Sequence, residues 1–319
     1  MYDCFMEKLI YQMFILGCGN LDEALSRGLG GVIFFTKDIQ TEIQFKSLIS
    51  EIKEKAFVKP FLSIDQEGGR VERTENIRPK RLSARIAFQK GVLEEQSDEI
   101  AKELAEYGIN LNFAPCADVN TNPNNPIIGE RAFSDNPDDV IKGIEIFTKA
   151  SRKYGIIPCV KHFPGHGDAD KDSHLTLPTI NLSMEEMERN HIKPFKYSVD
   201  NNIEMIMAAH LHCPCFDEEV LPASLSKNVI GYLRKHLGYD GVVISDDMVM
   251  KGVAQYGILE AVIMGIKAGL DMFIFRDSDD NTLSMIEELC KVVEKDETLK
   301  EMVFESNSRI EKLKNKYNC

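Results

Sequence analysis

Residues 161–178 read KHFPGHGDADKDSHLTLP, with three histidines (His162, His166, His174) and three aspartates (Asp168, Asp170, Asp172) around Pro164, Gly165 and Gly167. Titratable side chains at this density are costly to bury and unnecessary on a surface, so the segment is expected to do chemistry. Three chemistries suit it: a transition-metal site, a calcium loop, or the acid/base machinery of a hydrolase.

The calcium reading starts from the alternating aspartates at Asp168, Asp170 and Asp172. An EF-hand loop needs glycine at its sixth position and a bidentate glutamate at its twelfth; here they are Ser173 and Thr179. For a transition metal, His162 and His166 have the spacing of two ligands on one helical face, but Pro164 and Gly165 forbid a regular helix between them. The stretch HLHCPC, with His210, His212, Cys213 and Cys215, could supply zinc ligands. It lacks a second pair at normal spacing, and a strand end with buried thiols is the plainer reading. The hydrolase reading has more behind it. Asp172 stands two residues from His174, where a carboxylate can hold one imidazole nitrogen and leave the other to trade protons. A second carboxylate source is VVISDDMVM, an apolar run that ends in Asp246 and Asp247. One of the pair can cap a following helix, which leaves the other free to act as nucleophile.

Rigid elements must hold these groups. Short apolar runs recur along the chain: GVIFF (31–35), PFLSID (60–65), INLNFAP (109–115), IIPCVKHF (156–163), EMIMAAH (204–210), GVVISDD (241–247) and DMFIFR (271–276). Near-continuous apolarity over five or six residues is typical of strands buried on both faces. An eighth strand is expected near residues 12–17, although EKLIYQMFILG also reads as helix. Between the runs lie punctuated helices. Asn136-Pro137 opens one that Gly155 closes, Ser183 with Glu186 makes a capping box, and Ser226 opens another that Gly238 ends. This alternation predicts an α/β protein, a single-domain (β/α)8 TIM-type barrel over residues 1–319 with a charged C-terminal helical tail. The runs end in Asp65, Pro115 with Asp118 nearby, Lys161-His162, His210 and Asp246-Asp247. Such barrels build their sites from the C-terminal strand ends.

The 319 residues include 51 acidic and 38 basic side chains, a net charge of −13. That charge repels phosphate backbones and argues against nucleic acid or an anionic membrane surface as partner. Asp3 and Glu7 stand where a secretory signal would carry lysines, and no uncharged run reaches the ~20 residues of a spanning helix. The eight cysteines have no framework-like spacing and read as free thiols. A cytoplasmic protein, monomeric or weakly oligomeric, is expected.

Taken together, KHFPGHGDADKDSH, SIDQEGGRVERT, NFAPCADV, IGERAFSDNP, PASLS, GYDGVVISDDMVMKG and AGLDM resemble glycoside hydrolase family 3. The chain is most similar to its single-domain β-N-acetylglucosaminidases of bacterial cell-wall recycling, from about residue 31 to 272. The resemblance implies that Asp246 is the nucleophile, His174 the general acid/base and Asp172 its orienting partner, with Asp247 structural. Asp65, Arg131, Lys161 and His162 then hold the sugar hydroxyls, with Arg73 and His210 as neighbours. It implies a small carbohydrate substrate, no metal and no organic cofactor. Phosphorolysis, another β-glycosidase specificity, and a non-catalytic sugar-binding role stay open, as does the natural leaving group.

Overall fold

The computed structural model describes residues 2–169 and 177–319. Eight parallel strands follow one another in sequence order: β1 (Phe14–Gly17), β2 (Gly31–Phe34), β3 (Phe61–Ile64), β4 (Leu111–Asn112), β5 (Ile157–Phe163), β6 (Met205–Ala208), β7 (Val242–Asp247) and β8 (Met272–Phe275). Each pairs with the next, and β1 pairs with β8 through Phe14 and Phe273, which closes the barrel. The seven expected runs and the eighth all form strands. The ambiguous N-terminal stretch contains both readings: a helix, Tyr2–Tyr11, runs directly into β1.

The strands read as apolar because neither face meets water. Every residue of β1 to β6 and β8 is buried. Inside and around the barrel lie Phe14, Phe34, Phe61, Phe113, Phe273 and Phe275, none measurably exposed. The helices outside bury one stripe each, which is why their sequences alternate apolar and charged positions. The sequence punctuation also operates. Asn136 accepts from the Asp138 amide at the head of Pro137–Lys153, and Gly155 follows with φ of 73°. Ser183 and Glu186 form the reciprocal capping box, and Ser226 accepts from the Val229 amide. Among the described residues no helix is long and apolar enough to cross a membrane.

The C-terminal helix Glu297–Tyr317 packs beneath the barrel, burying Leu299, Val303, Ile310 and Leu313. Its polar groups join it to the strand starts. Lys314 Nζ donates to the Lys59 carbonyl at 2.9 Å and to Gln12 Oε1 at 3.0 Å. Arg309 reaches Asp271 Oδ1 at 3.1 Å, while Arg234 pairs with the other oxygen of that carboxylate. Asp271 also accepts the Val243 amide at 2.8 Å, so one fully buried carboxylate joins β7, the head of β8 and two helices.

Removing that carboxylate takes the buried counter-charge from Arg234 and Arg309 and leaves the Val243 amide without its acceptor. Asp271→Ala is expected to cost about 3–5 kcal/mol of unfolding free energy in urea titration. Arg309→Leu, at a partly exposed position, should cost no more than about 1 kcal/mol.

Candidate functional site

The C-terminal strand ends surround a cavity of about 560 Å³. Its floor and walls carry Asp65, Glu67, Arg131, Lys161, His162 and Asp246, with Arg73, His166, Asp247 and Arg276 around them. Lys161 and His162 are consecutive, and on a regular strand they would face opposite sides. The β5–β6 register shifts between Lys161 and Phe163, and both side chains line the cavity.

Lys161 is 2% exposed, and its ammonium lies 2.6 Å from Asp65 Oδ1 and 2.6 Å from Glu67 Oε1. Glu67 also receives both Nε and Nη2 of Arg131, each at 2.9 Å, a fork-to-carboxylate pair. These four groups, Lys161 and Glu67 buried and Asp65 and Arg131 partly so, form a network whose charges sum to zero. Burial alone would raise the Glu67 carboxyl; Arg131 and Lys161 reverse that and hold it well below the usual range. Asp65 faces a second cation, Arg73, at 3.9 Å, and Arg73 lies over the Phe35 ring.

His162 is fixed from behind. Its Nδ1 lies 2.7 Å from Asp118 Oδ2, so Nδ1 carries the proton and Nε2 turns toward Arg131 Nη2 at 3.3 Å. Asp118, not measurably exposed, also accepts the His162 amide at 3.3 Å and the His166 amide at 2.6 Å. Burial would raise its carboxyl, but the two imidazoles and these donors hold it far below its ordinary value. The intervening glycines make room for this. A Cβ on Gly167 would sit 1.7 Å from the Val119 carbonyl oxygen, and one on Gly165, at φ of 129°, would strike His191.

Asp246, next to last in β7, is half-buried. Burial would raise its carboxyl; His162, His210, the Asp247 amide and Lys161 outweigh it and keep the group ionised below its usual value. Asp247 pairs with Arg276 and accepts the Val249 amide at 3.2 Å. It therefore anchors the turn after β7 at the cavity edge, with its carboxylate already engaged, while Asp246 has no such cation on it among the described residues.

Of the residues singled out from sequence, Asp65, Arg73, Arg131, Lys161, His162 and Asp246 line one cavity. His210 stands behind it, with Nδ1 2.7 Å from Ser224 Oγ and Nε2 3.1 Å from the Asp247 carbonyl, supporting the strand end from below. Asp172 and His174 lie outside the described residues. His212, Cys213 and Cys215 belong to no metal-spaced group among the described residues. Sequence reasoning passed over Glu67, Arg276 and the wall position of His166, and named Asp118 only as a residue near a strand end. Glu67 sits two residues after Asp65, the period of side chains that share one face, which was the available signal.

Residues 20–313 match the model described as Glycosyl hydrolase family 3 N terminal domain. Beta-hexosaminidase A of Pseudoalteromonas piscicida is 32% identical over 330 residues, which cover 93% of this chain and 55% of that protein. The Beta-hexosaminidase of Methylococcus capsulatus is 31% identical over 276 residues, 82% of this chain and 79% of its own. Among solved structures, a glycoside hydrolase family 3 beta-N-acetylglucosaminidase from Paenibacillus sp. superposes with a TM-score of 0.91 at 31% identity, covering 98% of this chain and 62% of that one. The chain thus spans little more than half of the first of these relatives.

His166 supplies a pH test of the site's packing. It is 3% exposed, neither ring nitrogen has a partner among the described residues, and burial pushes its value down to about 4. The unfolded chain therefore takes up this proton first. The stability that neutral His166 contributes is complete above pH 6.5 and is lost as pH falls toward 4, by about 3 kcal/mol. His191 and His210, also lowered by burial, act in the same direction. In urea titrations at pH 7 and pH 4.5, His166→Phe should lose distinctly less stability than the wild type; equal losses would contradict this account.

Proposed function

This chain belongs to the glycosyl hydrolase family 3 N-terminal domain family, and on that premise we propose that it is a retaining exo-β-N-acetylglucosaminidase. Its substrates are terminal β-linked N-acetylglucosamine residues, with peptidoglycan-derived fragments as the natural source. The observation that carries the reading is Asp246, an ionised carboxylate on a rigid strand end, facing a cavity walled by the neutral Asp65–Lys161–Glu67–Arg131 network.

In this reading the sugar ring sits in the cavity with its hydroxyls against Asp65, Lys161, Arg131 and His162. Charged donors and acceptors fixed in place before binding hold the ring for attack without reorganising. Asp246 attacks the anomeric carbon, and its bond to that carbon replaces the bond to the leaving oxygen. His174, as imidazolium oriented by Asp172, delivers its proton to that oxygen. The same histidine then takes a proton from water, which displaces Asp246 and restores the β configuration. Retaining glycosidases usually work through two carboxyl groups; here an imidazole takes the second role. An imidazolium has its ordinary value near neutrality, suited to both halves of the cycle.

Two further roles follow from the geometry. Glu67 sets the positions of Lys161 and Arg131 together and makes no bond to the reacting atoms. Arg276 engages the Asp247 carboxylate at the cavity edge, so the two adjacent carboxylates do different work.

The decisive test is turnover of aryl β-glycosides, N-acetylglucosaminide against glucoside and xyloside, with and without added phosphate. The expected outcome is preference for the N-acetylglucosaminide and no rate increase with phosphate. Asp246→Asn should fold normally and lose about 10³-fold or more in kcat, and a fluorinated sugar should label Asp246; labelling of Asp247 would refute the assignment. His174→Ala should slow poor leaving groups far more than activated phenolates, and azide should restore turnover of the latter as a β-glycosyl azide. Glu67→Gln, which loosens both cations, should lower kcat/KM by about 10²-fold without altering leaving-group dependence.

A further inference from the structure

Behind His162, away from the proposed sugar, Cys116 Sγ, Asp118 Oδ2 and His162 Nδ1 all lie within 4.8 Å of one another. The three side chains are buried, at 2%, 0% and 5% exposure. Here they share protons: Cys116 Sγ donates to Asp118 Oδ2 at 3.2 Å, and His162 Nδ1 donates to the same oxygen at 2.7 Å. We propose that these three side chains form an inhibitory site for a divalent ion of the zinc type.

One thiolate, one imidazole and one carboxylate make a donor set suited to zinc or cobalt, and unsuited to magnesium or calcium, which take oxygen. Tetrahedral zinc with bonds of roughly 2.0–2.3 Å sets its ligands about 3.3–3.6 Å apart. The two pairs that share a proton, at 3.2 and 2.7 Å, need to spread by roughly half an ångström as the protons leave, and the third pair, within 4.8 Å, settles to the same spacing.

A second observation points to the same place. His166 is 3% exposed with both ring nitrogens unpartnered among the described residues, although unpaired polar groups are rare in an interior. Its ring centroid lies 5.9 Å from that of His162, and its amide donates to Asp118 Oδ1. A water on the ion's open fourth position would give this imidazole the partner it lacks.

The surrounding charge permits a cation. Arg131 and Lys161, the nearby positive groups, are matched by Glu67 and Asp65, so the ion meets the negative charge of Asp118 and of the thiolate it creates. Binding involves no oxidation or reduction. The Cys116 thiol proton leaves to solvent, the Nδ1 proton of His162 moves to Nε2, and three coordinate bonds form. Affinity therefore rises with pH. With its proton on Nε2, His162 presents a donor toward Arg131 Nη2, also a donor, and withdraws from the geometry in which it accepts from that group. The inhibitory consequence rests on reading the cavity as the sugar site; the binding itself does not.

The test is titration of the metal-free protein with cobalt(II), read by thiolate-to-cobalt charge-transfer absorption. One equivalent should bind and produce the band, and zinc should displace it. Cys116→Ser and Cys116→Ala should each lose the band and weaken binding by at least ~10²-fold, Cys215→Ser should keep both, and His166→Phe should weaken binding by about 10-fold. In parallel, zinc should inhibit wild-type glycosidase turnover reversibly, with chelator restoring it, and Cys116→Ser should be resistant. A band that survives in folded Cys116→Ser, or no stoichiometric cobalt binding by the wild type, overturns the proposal. Cobalt binding through Cys116 without turnover of any glycoside would instead leave the metal site standing and defeat the enzymatic reading.

Discussion

The single carboxylate of Asp118 organises the site. It accepts from the His162 ring, the His162 amide, the His166 amide and the Cys116 thiol, all in a buried position. Without it the His162 imidazole would be free to turn, and the chain after β5 would lose the anchor that brings residues 162–167 back over the strand ends. A carboxylate with several donors stays ionised at any ordinary pH, so this anchor does not weaken when the cavity changes its own protonation. The group fixes a tautomer and a backbone path together.

Around that anchor the cavity balances its charges before any ligand arrives. Two cations and two carboxylates, Lys161 and Arg131 with Glu67 and Asp65, are close enough that none is an isolated buried ion. Buried ions are tolerable when paired and hydrogen-bonded, and their worth here is geometric fixity more than stability. Asp246 stands beside this balanced set under the pull of His162, His210 and Lys161, which keeps it charged in a half-buried position. The same electrostatics keep this strand-end carboxylate ionised, as the nucleophilic role proposed for it requires.

The barrel was legible in the sequence because strands buried on both faces must be apolar throughout, and the chain contains eight such runs with capped helices between them. Most cavity residues were legible because ionisable groups at the ends of apolar runs have few structural reasons to be there. What escaped were groups whose role depends on distance between segments. Glu67 looks like part of a glycine-rich turn until Arg131, 64 residues on, and Lys161 are seen to converge on it. Asp118 follows a short strand of two residues, and nothing local says that its histidine partners lie more than forty residues away. His210 is the reverse case: its place at a strand end resembles that of a cavity residue, and only the structure shows its ring bonded to Ser224 and the Asp247 carbonyl.

The register shift of β5 has a consequence for how finely a barrel can read a ligand. A regular strand offers one side chain per face every two residues, a pitch of roughly 6.6–6.8 Å. Neighbouring hydroxyls of a pyranose are closer together than that, so regular strands can address adjacent hydroxyls only by borrowing from different strands or loops. By slipping one residue between Lys161 and Phe163, β5 supplies an ammonium and an imidazole from one rigid segment to one side of the cavity. The slip shortens the sampling interval of the strand, so that one rigid segment sets two polar groups side by side where a regular strand would set one.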